Sequence, residues 1–177
     1  MQGGKALQAG SYGCVFKPPL KCKNKTRQQS GVTKLLFKEH AEKEMEESEF
    51  IYELMKRYPK MKHSVLVPYE DNPCEPDKLT TSDLEHFDKT CNNFLKRNIH
   101  SSNVNLIRDK LGALQLDYGG EELFQYINQY PWRKHHLEVI HHGLKNITEY
   151  VIFPMNDNGL FHADIKNNNI MIKNEQL

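Results

Sequence analysis

The sequence predicts an α+β domain in which an antiparallel sheet and helices form separate layers. Strand patterns are gathered early in the chain and helical patterns late, and the two do not alternate as they do in proteins with a parallel sheet. No internal repeat is present. With 177 residues, the chain is long enough to bury a core.

The composition is that of an ordinary globular protein with balanced charge. The chain is 38% hydrophobic and has a formal net charge of +1, so we do not expect nucleic acid or an anionic membrane as its main partner. No segment has the apolar length of a membrane span, and the N-terminus lacks a secretory signal pattern. We therefore expect an intracellular, cytoplasmic protein.

The four cysteines are predicted to be free thiols. They are too few and too scattered for a disulfide scaffold, and no Cys-x-x-Cys pair points to zinc. The positions are Cys14, Cys22, Cys74 and Cys91.

Three strands are predicted in the first part of the chain. Segment 6–17 has β-prone residues on both sides of a bend that contains Gly10 and Gly13, which is typical of a hairpin. The basic stretch 21–30 is predicted to be a solvated loop, and 31–37 is predicted to be a strand.

A long helix is predicted over 39–57. The apolar residues Phe50, Ile51 and Leu54 recur at helical spacing, and Pro59 supplies the stop. Because the rest of this segment is rich in Glu and Lys, most of its surface is expected to face solvent.

The middle of the chain is predicted to contain a helical insertion at about 70–103, after a short strand at 64–68. A helix is expected over 83–97, because an apolar stripe there follows a capping-box pattern. Segments 103–107 and 111–118 are predicted to pair as strands across a turn.

Two helices are predicted nearer the end of the chain. The first covers 121–129 and ends near Pro131. The second is marked by apolar residues at helical spacing from Leu137 to Val151, and Pro154 is expected to kink or end it before Gly159.

A polar motif, HADIKNNN, occupies 162–169. Its residue types are those that phosphoryl transfer to a hydroxyl requires. Asp164 can accept the proton of the attacking hydroxyl, Lys166 can neutralise the transferring phosphoryl group, and Asn169 can hold a magnesium ion.

With this motif at its end, the chain resembles a eukaryotic-type protein kinase, and the resemblance covers nearly all of it in the right order. The stretch GSYGCV is similar to the later part of the glycine-rich loop. The resemblance places Gly10 and Gly13 at the phosphates of ATP and Val15 against the nucleotide. Gln8 stands where the family has its first glycine.

The resemblance implies a protein-kinase-like fold. Residues 1–118 would form the small lobe, with an antiparallel sheet, a helix of the αC type and the insertion at about 70–103. Residues 119–177 would form the hinge and the start of the large lobe, with its first helices and the catalytic loop.

The strand at 31–37 resembles the third strand of the family's small lobe. By this resemblance Val32 faces the adenine and Lys34 contacts the α- and β-phosphates, while the next helix supplies a carboxylate partner for the lysine. We predict Glu47 as that partner, because it precedes the apolar positions of the helix at helical spacing. Glu44 is the second choice.

The segment after the strand at 111–118 resembles the hinge between the two kinase lobes. Backbone groups near Asp117 and Tyr118 would bond to the adenine. Leu116 would limit the depth of the pocket.

By the same resemblance Asp164 is the catalytic base, Lys166 steadies the transferred phosphate, and Asn169 binds the metal ion. His162 would organise the loop. Lys166 favours a protein-serine/threonine kinase over a tyrosine kinase or a small-molecule kinase. Ala163 stands where many kinases have the Arg that pairs with a phosphorylated activation loop, so activation by that route is not expected.

The implied activity is transfer of the γ-phosphate of ATP, with Mg²⁺, to a hydroxyl of a protein substrate. The alternative is a catalytically silent kinase-like module that binds nucleotide or acts as a scaffold. The family's Asp-Phe-Gly motif is not among the residues that follow Asn169, so we expect an N-terminal fragment rather than a natural short chain. The sequence also resembles kinases encoded by large DNA viruses, which would place it in the host cell cytoplasm or the virion.

Overall fold

Four short apolar segments form one antiparallel sheet, which confirms the predicted α+β class. The strands are β1 (Lys5–Ala9), β2 (Gly13–Lys17), β3 (Val32–Phe37) and β4 (Leu111–Leu116), and they lie side by side in that order. The hairpin predicted at 6–17 and the strand predicted at 31–37 are both present.

The structure is a computed structural model that describes residues 4–10, 12–130 and 132–173. Ser11, in the bend of the predicted hairpin, and Pro131, the predicted end of a helix, lie outside the described residues.

The described chain forms two compact units. The first unit contains residues 4–49 and 67–118, and the second contains residues 50–66 and 119–173. The sheet belongs to the first unit.

The register of the sheet determines which side chains share a face. Val15 pairs with Lys34, and Lys34 pairs on its other side with Leu114. Val32 pairs with Leu116. Because directly paired residues and residues two positions apart project to the same side of a sheet, these five side chains lie on one face, called here the Lys34 face.

A single long helix, α1 (Lys38–Arg57), follows β3 directly and confirms the helix predicted over 39–57. Its first turns lie against the Lys34 face at Gly112. A Cβ atom at position 112 would be 2.5 Å from the Cβ atom of Ala41, so only glycine allows this approach of helix and sheet.

The opposite face of the sheet carries the main core of the first unit. Buried side chains of the sheet pack there against buried side chains of the insertion. The sheet contributes Ala6, Cys14, Phe16, Leu35, Leu111 and Ala113, and the insertion contributes Leu79, Phe87, Cys91, Phe94, Ile99 and Val104. The insertion therefore covers one side of the sheet.

The insertion contains two short helices, α2 (Phe87–Thr90) and α3 (Asn92–Leu95), so the prediction of one helix over 83–97 is wrong. The backbone departs from helical geometry at two residues of this segment. His86 has a φ of 65°, in the left-handed region, and Cys91 has a non-helical backbone and bonds covalently to the sheet.

The strands predicted at 64–68 and 103–107 are also wrong. Residues 64–68 have no regular structure, and Val104–Leu106 forms a 3₁₀ turn. Val104 is fully buried, so its apolar character serves the core rather than a strand. The partner of β4 in the sheet is β3.

The prediction of free thiols is wrong. Cys14 forms a disulfide with Cys91, and Cys22 forms one with Cys74, so that no cysteine in the described ranges is free. The paired residues are 77 and 52 positions apart. This spacing hides the pairing, because the cysteines meet only when the insertion folds back across the sheet.

The basic stretch at 21–30 is not simply solvated, as the sequence predicted. Four of its cations pair with acidic residues of the 70–103 region. The pairs are Lys21–Asp77, Lys23–Glu75, Lys25–Asp71 and Arg27–Asp83.

Asp83 is the centre of a buried polar network. Its carboxylate accepts two hydrogen bonds from Arg27, each of 2.8 Å, and others from the backbone N–H groups of Gly4 and Thr80. Burial alone would raise the pKa of Asp83, but the hydrogen bonds from Arg27 and Thr80 outweigh burial and hold that pKa below its ordinary value. Asp83 is therefore an ionised, fully paired group inside the protein.

The second unit is mainly helical. Two of its helices are joined without a break by a π-helical segment, Thr148–Ile152. The resulting helical stretch ends before Gly159, as predicted. The elements of the second unit are β5 (Glu121–Glu122), α4 (Leu123–Gln129), α5 (Lys134–Ile147), α6 (Phe153–Asp157) and β6 (Met171–Ile172). The predicted helix over 121–129 therefore begins two residues late, because Glu121 and Glu122 pair with β6.

No helix in the described part of the chain is long and apolar enough to cross a membrane. The longest, α1, has 20 residues but is dominated by Glu and Lys.

Candidate functional site

The first candidate site is the Lys34 face of the sheet, in the first unit. Three of the residues predicted to contact nucleotide, Val15, Val32 and Leu116, share this face with Lys34. They come from three different strands, so the register of the sheet brings them together. The apolar side chains and the Lys34 ammonium group form a surface suited to a flat ring and a phosphate.

Lys34 is paired with a carboxylate of α1. Its Nζ atom lies 2.7 Å from Oε1 and 2.6 Å from Oε2 of Glu44. The Lys34 and Glu44 side chains are 28% and 30% exposed. This bidentate, partly buried pair holds the ammonium group over the sheet instead of leaving it in solvent.

The prediction that Glu47 is the partner of Lys34 is wrong, and the second choice, Glu44, is the partner. Glu47 is 69% exposed and lies 3.9 Å from Lys43, one turn earlier on the same helix. The buried stripe at this end of α1 passes through Ala41, Met45 and Ser48. Glu44 is adjacent to that stripe, whereas Glu47 projects away from it.

The glycine-containing turn between β1 and β2 is closed by its own backbone. The Gly10 N–H donates to the Gly13 carbonyl at 2.9 Å. A Cβ atom at position 13 would lie 2.2 Å from the Leu35 carbonyl oxygen, so no other residue fits there. The close approach of the β2 and β3 backbones therefore explains the glycine at position 13.

The candidate hinge follows β4. The Asp117 side chain accepts a hydrogen bond of 2.9 Å from the Tyr69 hydroxyl. Burial, and then this hydrogen bond, raise the pKa of Tyr69 to about 12. The ring of Tyr118 lies under the Lys17 ammonium group, 3.1 Å from Nζ to the ring centroid. Both hinge side chains are thus held in place by the first unit.

A second candidate site, in the second unit, is the polar loop at 162–169. Lys166 Nζ lies 3.0 Å from Asp164 Oδ2, and Asn169 Nδ2 donates to the same oxygen at 2.8 Å. Asn169 Nδ2 also donates to the Asp164 backbone carbonyl at 2.8 Å. The three residues predicted to act in catalysis therefore contact one another directly.

The neighbours of Asp164 keep it ionised. Hydrogen bonds from Lys166 and then from Asn169 lower the pKa of Asp164 below its ordinary value. The backbone N–H of Asp164 points to Nδ1 of His162 at 3.4 Å. His162 is thus placed beside the loop backbone, where it can shape the turn.

The loop is attached to the start of α4. The first two N–H groups of this helix, from Leu123 and Phe124, donate to the carbonyls of Ile170 and Asn167. Buried Glu122 accepts a hydrogen bond of 2.7 Å from the side chain of Asn168. Helix N–H groups that lack an intrahelical acceptor are used here to hold the loop.

The loop offers one clear ligand for a magnesium ion. The Asn169 amide uses its nitrogen to bind Asp164, so the carbonyl oxygen of the same amide is the atom suited to a hard cation. Across residues 4–10, 12–130 and 132–173, no group of three or more His, Cys, Asp or Glu side chains is arranged to hold a metal ion. Such a group is not required when phosphates and water supply most of the ligands.

Sequence reasoning missed three contacts that support these residues. They join Asn93 to Gly10, Tyr69 to Asp117, and Asn168 to Glu122. The partners are 83, 48 and 46 positions apart, so no local pattern signals them.

Comparison with known proteins gives no family for this chain. No protein-family model matches it, and no curated protein matches it significantly. Its function is therefore inferred from the contacts described above.

Proposed function

We propose that the protein is an ATP-dependent protein-serine/threonine kinase of the eukaryotic type, which transfers the γ-phosphate of ATP to a hydroxyl of a protein substrate. The observation that carries the proposal is the bidentate Lys34–Glu44 pair on the sheet face that also bears Val15, Val32 and Leu116. Phosphoryl transfer in protein kinases uses a strand lysine on the α- and β-phosphates and a helix glutamate that holds the lysine.

The pair is unusual for a purely structural contact. Exposed ion pairs contribute little to stability, typically below about 1 kcal/mol. Lys34 and Glu44 are each about 70% covered, and the lysine reaches both carboxylate oxygens. A lysine held in this way presents a fixed positive charge, which is useful for binding phosphate. Without such a role, fixing the lysine would only lower the conformational entropy of its side chain.

The loop supplies the groups that act on the substrate hydroxyl. Asp164 is ionised and can orient the hydroxyl and take its proton as the new P–O bond forms. The bond between the γ-phosphorus and the bridging oxygen of ATP breaks in the same step, and ADP leaves. Lys166, now paired with Asp164, can turn to the phosphoryl group and neutralise its charge. Asn169 is the residue that would hold the magnesium ion that accompanies ATP, and the ion would neutralise phosphate charge.

The identity of residue 166 supports the choice of substrate. By the kinase resemblance, a lysine two positions after the catalytic Asp is usual in protein-serine/threonine kinases, whereas tyrosine kinases place it elsewhere. The Lys166–Asp164 distance of 3.0 Å shows that the lysine reaches the group that would contact the substrate hydroxyl.

The first test is nucleotide binding by the 177-residue chain, measured by titration with ATP in the presence of magnesium. Lys34→Met should weaken ATP binding about 10- to 100-fold, since it removes a charged contact. Glu44→Gln should weaken it less, because the lysine remains but is no longer held. Glu47→Gln is the matched control on the same helix and should leave affinity within about twofold.

A binding result in which Glu47→Gln matters and Glu44→Gln does not would contradict the assignment of the pair. Equal ATP affinity in Lys34→Met and in the unmodified chain would show that the nucleotide site is assigned wrongly.

The second test is phosphoryl transfer to a mixture of serine and threonine peptides. It uses the protein expressed from its own open reading frame, with ATP and magnesium. Asp164→Asn should lower the rate at least about 100-fold with ATP affinity unchanged, because the proton acceptor is lost. Asp157→Asn, an exposed acid of the same unit, is the control. Binding without any transfer would identify the silent module instead.

A further inference from the structure

The insertion is attached to the glycine-containing turn at two points. The side-chain amide of Asn93 donates to the Gly10 carbonyl, at one end of the turn. Cys91 is bonded through a disulfide to Cys14, at the other end, with 5.3 Å between their Cα atoms. The two attachments therefore lie on either side of the same turn.

The segment that makes these attachments is firmly packed. Phe87 and Phe94 flank it and are 0% and 1% exposed, and their ring centroids are 5.6 Å apart. Cys14 and Cys91 are both fully buried. The insertion is thus a rigid support and not a mobile flap over the turn.

We propose that Asn93 is a positioning residue, which fixes the Gly10 carbonyl and so presets the backbone at Gly10, at one end of the turn, for the phosphates of a nucleotide. This inference rests on the proposed nucleotide site. A turn held in its binding conformation loses less conformational entropy when phosphate binds, so affinity rises without a new contact to the ligand. Gln8 in place of a further glycine fits a turn that is held rather than flexible.

The position of Asn93 separates its effect from that of a general stabiliser. The turn acts on the phosphates, whereas the adenine is assigned to Val15, Val32 and the hinge. Loss of the Asn93 contact should therefore weaken ATP binding and leave adenosine binding unchanged. A variant that merely loosened the sheet would weaken both.

The experiment compares Asn93→Ala with the control Asn92→Ala, which changes the exposed neighbour on the same short helix. Dissociation constants for ATP and for adenosine are measured with the full chain. Asn93→Ala should raise the constant for ATP about three- to tenfold, and that for adenosine by less than about twofold. Asn93→Asp has the same size but no amide donor and should weaken ATP binding at least as much.

Hydrogen exchange at the Gly10 amide, which bonds to the Gly13 carbonyl at 2.9 Å, reports on the turn without nucleotide. Exchange should be about three- to tenfold faster in Asn93→Ala and unchanged in Asn92→Ala. Equal weakening of ATP and adenosine, or no change for ATP, would overturn the positioning role.

The two proposals fail in different ways. If the unmodified chain binds neither ATP nor adenosine, the nucleotide site is wrong and the positioning role falls with it, whatever exchange at Gly10 shows. If ATP binds normally in the Asn93 variants, the nucleotide site stands and only the positioning role is overturned.

Discussion

The Lys34–Glu44 pair and the loop at 162–169 reach their geometry in different ways. Lys34 lies on an inner strand and Glu44 on the helix that packs over it, and both side chains are mostly covered. In the loop, the Asp164 and Lys166 side chains are 64% and 49% exposed and contact each other within three residues of sequence. The pair depends on how α1 packs on the sheet, whereas the loop depends on its own few residues and on the start of α4.

This difference predicts where each part is vulnerable. The geometry of the pair should respond to changes anywhere in the sheet, the insertion or the first half of α1. The loop should respond mainly to changes in itself and in residues 122–124, which hold it. The predictions below test this, beginning with the largest expected effect.

Removing the Asp83 carboxylate should have the largest effect. Asp83→Ala leaves the Arg27 guanidinium, which is only 12% exposed, without its buried partner, and we expect unfolding free energy to fall by about 3–5 kcal/mol. Urea unfolding measures this loss. Glu85→Ala removes an exposed pair with Lys5 and should leave the unfolding free energy nearly unchanged.

Hydrogen exchange in the same variant sharpens the comparison. Asp83→Ala should speed exchange in the sheet and leave the amides of 162–170 unchanged. Equal acceleration in both places would show that the loop also depends on the distant packing.

Reduction of the two disulfides should have the next largest effect. They close loops of 77 and 52 residues, and each such link contributes roughly 2–4 kcal/mol by restricting the unfolded chain. The two loops are nested, so the losses will not add. Calorimetry with and without a dithiol reductant measures the change in melting temperature, and segment-resolved exchange shows where protection is lost.

We expect β2 and the insertion to lose protection first after reduction, with residues 119–173 unaffected. A melting temperature that is the same with and without reductant would contradict the paired state of these cysteines.

The smallest effect concerns the Tyr69–Asp117 contact at the hinge. Because the pKa of Tyr69 is raised to about 12, the folded protein keeps a proton that the unfolded chain releases near pH 10. The stability that this group contributes is present below about pH 10 and is lost as pH rises towards 12. Phenolate absorbance, with Tyr69→Phe subtracted, measures the pKa directly.

Asp117→Asn should lower the pKa of Tyr69 only part of the way, because burial is the larger cause of the shift. Asp109→Asn, a neighbouring acid outside this contact, is the control. A pKa near 10 in the unmodified protein would mean that the hinge side chain is not held as described.

The local patterns of the sequence predicted much of the framework. The β1–β2 hairpin follows from β-prone residues around two glycines, and α1 follows from helical spacing and a proline stop. The polar loop was readable because its functional groups lie within eight residues of one another. Each of these depends on contacts close in sequence.

The choice between Glu44 and Glu47 needed information that the pattern lacks. The large apolar residue Phe50 suggested the buried stripe, but Phe50 is 63% exposed. The stripe near Lys34 is instead made of Ala41, Met45 and Ser48, and the small residues Ala41 and Ser48 carry little hydrophobic signal. The sequence pattern therefore predicted the wrong buried face for the part of α1 near Lys34.

The disulfides and the broken insertion helix were unpredictable for a related reason. Cys91 interrupts the insertion between α2 and α3 because its side chain bonds to Cys14 of β2. Only the three-dimensional path of the chain brings these residues together. Pairings over such distances leave no periodic trace in a single sequence.

Gly112 lacks a Cβ atom, and this allows α1 to lie close to β4. Because α1 rests on it at Ala41, the thickness of one methyl group sets the height of the helix above β4 and thus the reach between Glu44 and Lys34. Alanine at position 112 would push α1 away from the sheet and move the Glu44 carboxylate away from the Lys34 ammonium group. Gly112 has no side chain, yet it thereby sets the distance between Glu44 and Lys34, which lies on the neighbouring strand β3.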